Sequence, residues 1–373
     1  MEVYLDNAAT TKVDDKVVDS IKKVYLESYG NPSSIHKKGH DALKLIENSR
    51  EELAKIINSE YHELVFTSCG SESNNLVLNQ LSKGDHLITT IIEHPSIYNK
   101  AKALERQGVE ITFLKSDKEG FINLEELESS IKKNTKLVSI IHSHNEVGTI
   151  QDLIKIGEIC KKHKVLFHSD CVQSLKKTKI DVKDFNLDFA SFSAHKIRGP
   201  KGVGALYVKK GLKLNPLIYG GGQENSMRSG TENVPGIVGF GSALRLSYDV
   251  KYVSELRDYM IFRLEEEIDK VKLNGSRKSR LCNNVNFSFK GIEGESILMS
   301  LDLEGIYVST GSACSSRSLK ASRVLLAMGL DHELAHGSIR FTLSPENTKE
   351  EIDYVVIKLK EIIKRLRGMS PLK

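Results

Sequence analysis

The sequence predicts an α/β fold. A mainly parallel sheet flanked by helices comes first, and a smaller α+β unit follows. Three observations carry that expectation. Short β-rich runs alternate with segments of helical period between residues 64 and 192, and such alternation builds βαβ units. The character changes near Pro235, where a long helical stretch replaces the alternation. At 373 residues, the chain is also long enough for about two domains.

Taken in order, Val17, Val18, Ile21, Val24 and Tyr25 recur at helical spacing and predict a helix over about 14–28. Asn31-Pro32-Ser33-Ser34 breaks that pattern and can initiate a second helix, over about 38–57. Strands are expected at 64–67, 87–90, 111–114, 137–141, 165–168 and 189–192. Residues 202–208 read as one more strand, a hairpin partner of the strand before it, which makes a sheet of the seven-stranded type. After it, one helical stretch runs over 235–270. Strands then read at 285–289, 307–310 and 339–343, with helices at 294–303, 321–328 and 347–367. The last helix carries Ile352, Val355, Val356, Leu359, Ile362, Ile363 and Leu366 on one face, and its lysines and arginines are a solvated face. The expected division is a large α/β domain at 15–250 and a small α+β domain built from 1–14 and 251–373.

Composition narrows the function. Lys+Arg 54 against Asp+Glu 49 leaves a net charge of +5. That is too little, over this length, for a nucleic-acid binder with a clustered basic stripe. No apolar run approaches a membrane span. An acid stands within the first residues in place of a secretory or transit pattern. Cysteines stand at 69, 160, 171, 282 and 314 with no C-x-x-C pair, which argues against a disulfide framework or a cysteine zinc site. The expected location is the cytoplasm, a reducing compartment.

His332-Glu333-Leu334-Ala335-His336 matches the H-E-x-x-H zinc-hydrolase signature. Gly329 and Gly337 flank it, and Ile339 stands where the metzincin extension needs glycine. The expected structure is a short polar turn leading into a strand, with no metal. Phosphate-binding P-loop and dinucleotide motifs are absent, and Gly220-Gly221-Gly222 matches neither.

Two other segments carry chemistry. His168-Ser169-Asp170-Cys171-Val172-Gln173 and Ser193-Ala194-His195-Lys196 each close a predicted strand. Both therefore sit at the carboxyl edge of the sheet, where open α/β folds bind ligands. A carboxylate at one strand end and a lysine at another are what pyridoxal 5′-phosphate requires. The lysine forms a Schiff base with the aldehyde, and the carboxylate keeps the pyridine nitrogen protonated so the ring can accept electrons. Between a strand and a helix, 67–73 offers hydroxyls and N–H groups for the phosphate. Any one of these residues alone is more simply a helix cap or a solvated charge. In this order and at these strand ends they point to the cofactor.

With those residues in place, the chain resembles the cysteine desulfurases, in the class V aminotransferase group of fold-type-I pyridoxal-phosphate enzymes. The resemblance runs through Tyr4-Leu5-Asp6-Asn7-Ala8-Ala9-Thr10-Thr11, then Gly30-Asn31-Pro32-Ser33-Ser34 with His36 and Gly39. It continues through Glu93-His94, Asn145-Glu146-Val147-Gly148, Ser193-Ala194-His195-Lys196 with Gly199-Pro200-Lys201-Gly202, and Met227-Arg228-Ser229-Gly230-Thr231. It ends with Ser309-Thr310-Gly311-Ser312-Ala313-Cys314 and Ser338-Ile339-Arg340-Phe341. Gly-Ser-Ala-Cys resembles the group with a long, flexible loop that serves iron–sulfur assembly.

The resemblance implies a role for each residue. Lys196 is the Schiff-base lysine and proton shuttle, Asp170 pairs with the pyridine nitrogen, and Gln173 reaches the ring O3′. His94 stacks on the ring. Gly70, Ser71, Ser193 and His195 hold the phosphate, and Thr231 reaches the phosphate of the other subunit of a homodimer. The 228–231 segment supports that last role, since it is polar and has no evident task in its own subunit. Arg340 and Asn145 bind the substrate carboxylate, where a guanidinium fork gives bidentate geometry. Cys314 is the nucleophile, in a Ser/Gly loop over 309–318 that is expected to be mobile.

Three positions depart from the family pattern. Cys69-Gly70-Ser71 replaces the usual Gly-Ala-Thr, Cys171 replaces an alanine, and His144 replaces an asparagine. The first keeps a hydroxyl at Ser71. The two cysteines compete with Cys314 on paper, and His144 bears on the carboxylate site. The function implied is conversion of L-cysteine to L-alanine, with the sulfur passed to a Cys314 persulfide. An acceptor such as an iron–sulfur scaffold or a tRNA-thiolation enzyme would then take it. Selenocysteine lyase or aminotransferase activity on the same fold is the nearest alternative. A zinc hydrolase and a non-enzymatic sulfur-carrier scaffold are the rivals from other classes. Neither membrane nor direct nucleic-acid binding is expected.

Overall fold

The computed structural model describes residues 1–310 and 321–369. Its strands are β1 (Val3–Tyr4), β2 (Leu64–Thr67), β3 (His86–Thr90), β4 (Glu110–Leu114), β5 (Thr135–Ser139), β6 (Leu166–Asp170), β7 (Phe189–Ser193), β8 (Gly204–Val208), β9 (Val271–Leu273), β10 (Asn284–Phe289), β11 (Ile306–Tyr307), β12 (Ser309–Thr310) and β13 (Ser338–Thr342). Its helices are α1 (Asp15–Glu27), α2 (Lys37–Ile57), α3 (Gly70–Leu78), α4 (Pro95–Arg106), α5 (Leu124–Ser129), α6 (Leu153–His163), α7 (Val234–Arg245), α8 (Val250–Glu267), α9 (Gly294–Leu303), α10 (Arg323–Ala327), α11 (His332–His336) and α12 (Lys349–Met369).

A seven-stranded sheet runs in the order β2-β8-β7-β6-β5-β3-β4. Only β8 is antiparallel, paired to β7 on one side and β2 on the other. It is the hairpin partner that the sequence predicts. All residues of β7 and β8 are buried, as strands covered by helices on both faces must be. Helix α7 packs against α1 and α2. Glycine permits the approach: a Cβ on Gly241 would meet the Ser49 hydroxyl oxygen at 2.6 Å, and one on Gly239 would meet Ile21 at 2.7 Å.

A second apolar core gathers Val3 and Leu5 with residues of α8, β10, α9, β13 and α12. Strands β12-β13-β10-β9 form its sheet, and β1 pairs in parallel with β11. The first residues of the chain therefore belong to the same core as the last.

Three local expectations change. The stretch 235–270 is two helices, broken at 246–249. Leu246 turns extended, and Asp249 caps α8 by accepting from the Tyr252 N–H. The break is held from outside, because the Lys176 ammonium donates to the carbonyls of Ala243 (3.1 Å) and Leu244 (2.9 Å). Residues 307–310 are two short pieces in different sheets, since β11 follows β1 while β12 pairs with β13. The 332–336 segment is a short helix in place of a turn, with Asp331 accepting from the Leu334 N–H at 2.8 Å.

A buried ion pair fixes the segment ahead of α7. Arg50 donates both terminal nitrogens to Glu224 at 2.8 Å, and also reaches the Leu64 carbonyl at 2.6 Å. Glu224 accepts in addition from the Phe66 N–H at 2.9 Å. Removing one member of a buried pair costs up to about 3–5 kcal/mol, and less here, since Arg50 keeps Glu47 at 3.3 Å. Glu224→Ala is therefore expected to lower the urea midpoint clearly. An unchanged midpoint would show that Arg50 finds another partner.

Candidate active site

Strands β2, β3, β5, β6 and β7 are mutually parallel, so their carboxyl ends share one edge. The predicted residues arrive there on the segments that follow. Gly70 opens α3 after β2, His94 caps α4 after β3, Asp170 ends β6, and Ser193 ends β7 just before the single turn 194–196.

The Lys196 ammonium donates to the carbonyls of Ala8 (2.6 Å) and Ala9 (2.7 Å). The Gln173 amide nitrogen donates to the same Ala8 carbonyl at 2.9 Å. Asp170 is buried, and its carboxylate accepts from the Asn74 amide at 2.7 Å and the Val172 N–H at 3.0 Å. Asn74 also donates to the Ser96 hydroxyl. That hydroxyl lies 2.7 Å from His94 Nδ1, which accepts the Ser96 backbone N–H at 3.2 Å. Acceptance at Nδ1 assigns the neutral ring's proton to Nε2. Burial holds His94 below the usual imidazole pKa, with Lys196 and Arg323 acting in the same direction.

Gly70 and Ser193 form a cradle. A Cβ on Gly70 would meet the Val172 side chain at 2.6 Å, and the Ser193 hydroxyl is buried without a hydrogen-bond partner. Ser71 follows at the first turn of α3. His195 Nδ1 lies 3.2 Å from the Thr10 hydroxyl. Burial, with Lys196 and Lys201 nearby, pushes His195 down to about 3.

Arg340 lies in β13, almost wholly buried. It donates to Asp6 at 2.7 Å and to the Asn145 carbonyl at 3.2 Å, and its Nε has no partner. His144 is tied down: its Nε2 lies 2.7 Å from the Ile92 carbonyl, and Nδ1 accepts from the Glu146 N–H at 3.1 Å. Burial drives His144 down to about 4, so it is a neutral brace for the 144–147 turn.

Thr231 is exposed and, among the described residues, makes no hydrogen bond to this cluster. Its neighbour Arg228 corrects the idea that the segment is idle within its own subunit. Arg228 pairs with Glu72 at 3.0 Å, and Glu72 accepts from the Ser68 N–H at 2.7 Å. The segment is thus pinned to the start of α3. Cys314 lies outside the described residues. Of the other cysteines, Cys171 and Cys160 are buried with their thiols pushed up by burial, Cys160 to about 12. Cys282 is also buried and raised, and Cys69 is half-buried.

Sequence reasoning missed Asn74, Ser96, Asp6 and Lys177 as parts of this network. Asn74 had one available signal, its place one helical turn beyond Gly70. No group of three or more His, Cys, Asp or Glu side chains is arranged to hold a metal among the described residues. No described helix is long and apolar enough to cross a membrane.

Residues 3–355 match the family Aminotransferase class-V. A "Cysteine desulfurase IscS" of Dictyoglomus turgidum is 48% identical over 382 residues, spanning 100% of this chain and 97% of that one. One of the same name from Methanosarcina thermophila is 45% identical, spanning 99% and 94%. The chain belongs to the cysteine desulfurase family. Its members are pyridoxal-phosphate enzymes within the class-V aminotransferases. Solved structures agree with the family in fold. A NifS-like protein superposes with a TM-score of 0.91 at 38% identity, covering 98% of this chain and 100% of that one. A structure of SspA in complex with cysteine gives 0.84 at 36% identity, covering 93% and 100%.

One buried acid of this desulfurase-family site makes a pH test. Burial, with Asp170 adding to it, raises Glu93 from 4.5 to about 8. A carboxyl whose folded pKa lies above its unfolded value stabilises at low pH. That contribution declines as pH rises from the unfolded pKa and is lost once pH passes the folded one. Glu93→Gln is therefore expected to flatten the fall of melting temperature between about pH 4.5 and 8. An unchanged slope would show that Glu93 is ionised in the folded protein.

Proposed function

We propose that this chain is a pyridoxal-phosphate-dependent cysteine desulfurase that converts L-cysteine to L-alanine and takes the sulfur onto Cys314 as a persulfide. The observation that carries the reading is a convergence on residues 6–9. The Ala8 and Ala9 carbonyls hold Lys196 and Gln173, while Asp6 holds Arg340. An amine and an amide from the large sheet's edge and a guanidinium from β13 thus meet on one short segment.

The donor set fits the cofactor. The Gly70 cradle and the unpartnered Ser193 hydroxyl suit its phosphate at the start of α3. Asp170 keeps acceptor capacity for a protonated pyridine nitrogen. When bound, pyridoxal phosphate supplies an aldehyde for the substrate amine and a ring that stores the electron pair left at Cα. Asp170 holds the proton at the ring nitrogen. Lys196, as a neutral amine, would take the proton from Cα. His94, neutral and with its proton on Nε2, would pack against the cofactor ring. Arg340 offers its unpartnered Nε to the substrate carboxylate, and Asn145 lies beside it. The Cys314 thiolate attacks the substrate sulfur; the S–S bond forms as the substrate C–S bond breaks. The persulfide passes to a sulfur-acceptor protein, an iron–sulfur scaffold or a tRNA-thiolation enzyme. The working form is a homodimer in the cytoplasm, with Thr231 reaching the partner subunit's phosphate site.

Lys196→Ala is expected to abolish alanine formation from L-cysteine and to remove the visible absorbance of the bound cofactor. Wild-type turnover by that variant would overturn the assignment of the lysine.

Cys314→Ser should keep the cofactor and lose persulfide and alanine formation by about two orders of magnitude or more, as loss of an essential nucleophile does. Cys69→Ala and Cys171→Ala should keep most activity. Peptide mapping after one turnover decides the point: extra sulfur on Cys69 or Cys171, with Cys314 unmodified, is the contrary result.

Sedimentation should find a dimer whose cofactor loading falls in Thr231→Ala. An active, fully loaded monomer would exclude the trans role of Thr231.

A further inference from the structure

A cavity of about 670 Å³ lies between the end of α2, the 176–181 segment, the start of α8 and residues 280–282. None of the residues given a cofactor or substrate role lines it. Its charged lining is Lys55, Lys176, Lys177, Lys179 and Arg280, against Asp181 alone. That acid is already engaged, accepting from the Asn58 amide at 3.0 Å and from the Asp184 N–H at 3.0 Å.

Three of the cations lack a carboxylate partner among the described residues. Lys176 donates to carbonyls at the end of α7. Arg280, almost wholly buried, donates to the Ser276 carbonyl at 2.8 Å and the Asn284 side chain at 2.9 Å. Lys177 is 3% exposed and donates to Gln173 Oε1 at 3.2 Å, which leaves two of its three protons for other acceptors. Buried cations without counter-charges are costly. A concave site lined by one sign of charge also concentrates its field on any ligand inside. Burial accordingly pushes Lys177 down to about 8 and Arg280 down to about 9. Thr178, Ser254 and Asn58 complete the polar part of the wall, and the volume suits a ligand of metabolite size.

We propose that this cavity binds a small multivalent oxyanion, a phosphate ester or a polycarboxylate, with Lys177 as its central contact. The site is independent of the desulfurase reading. It is nonetheless wired to the active site, since Lys177 holds Gln173, and Gln173 shares the Ala8 carbonyl with Lys196. The Lys177 ammonium can only donate, so it fixes Gln173 with Oε1 toward Lys177 and Nε2 toward Ala8.

The test is calorimetric titration of the cofactor-loaded enzyme, whose own phosphate site is then filled. Inorganic phosphate and citrate form separate arms, with sodium chloride of matched ionic strength as the blank. Saturable binding at about millimolar or tighter is expected in at least one arm. Binding of phosphate alone points to a phosphate ester, and binding of citrate alone to a polycarboxylate. Lys177→Met should weaken it about tenfold or more, as loss of a buried charge-assisted bond does. Should that variant fail to fold, the double variant Lys55→Glu/Lys179→Glu at the outer lysines decides. It should weaken binding several-fold while basal alanine production is unchanged. Absence of heat above the blank in both arms overturns the proposal. So does affinity unchanged in the variants, or binding lost in Arg340→Lys, which would place the anion at the substrate site.

Discussion

The active site depends on the course of four residues near the start of the chain. Residues 6–9 pass between the two apolar cores, and their carbonyls and one side chain hold Lys196, Gln173 and Arg340. The Ala8 N–H closes the arrangement by donating to the Thr342 hydroxyl at 2.8 Å. Each of these groups comes from a different part of the fold, and none can be positioned without the others. Carbonyls suit this task because they accept from an ammonium without neutralising it. Lys196 is thereby steered by neutral acceptors on this segment.

Charge around the site is managed by burial and by hydrogen bonds to neutral groups. Glu93 and Glu146 are buried and pushed up, to about 8 and about 7, so near neutral pH each retains a proton or lies close to gaining one. His142, His144 and His168 are buried and driven down to about 4, 4 and 3. They act as neutral spacers. Asp170 accepts from the Asn74 amide and the Val172 N–H, and Glu93 likewise accepts from the Thr90 hydroxyl and the Ile141 N–H.

The same logic separates the thiols. Nucleophilic sulfur needs access and thiolate character. Cys160, Cys171 and Cys282 are buried in surroundings that raise their pKa, and Cys69 sits half-buried at the N-cap of α3. The buried three behave as small apolar groups.

The sequence by itself determined the sheet, its single antiparallel strand and the arrival of the 168–173 and 193–196 segments at the strand ends. Those features rest on local periodicity and on motifs such as Ser193-Ala194-His195-Lys196, in which neighbours in sequence are neighbours in space. The tertiary structure decided whatever joins distant residues. Asp6 meets Arg340 across 334 positions, Arg228 meets Glu72 across 156, and Lys176 stops α7 from 67 residues away. The break at 246–249 belongs with these, because the periodicity that joined 235–270 into one helix carries no record of an ammonium arriving at its carbonyls. Local pattern reports which face of an element is buried. Which side chain it is buried against is set only when the two cores close on residues 6–9.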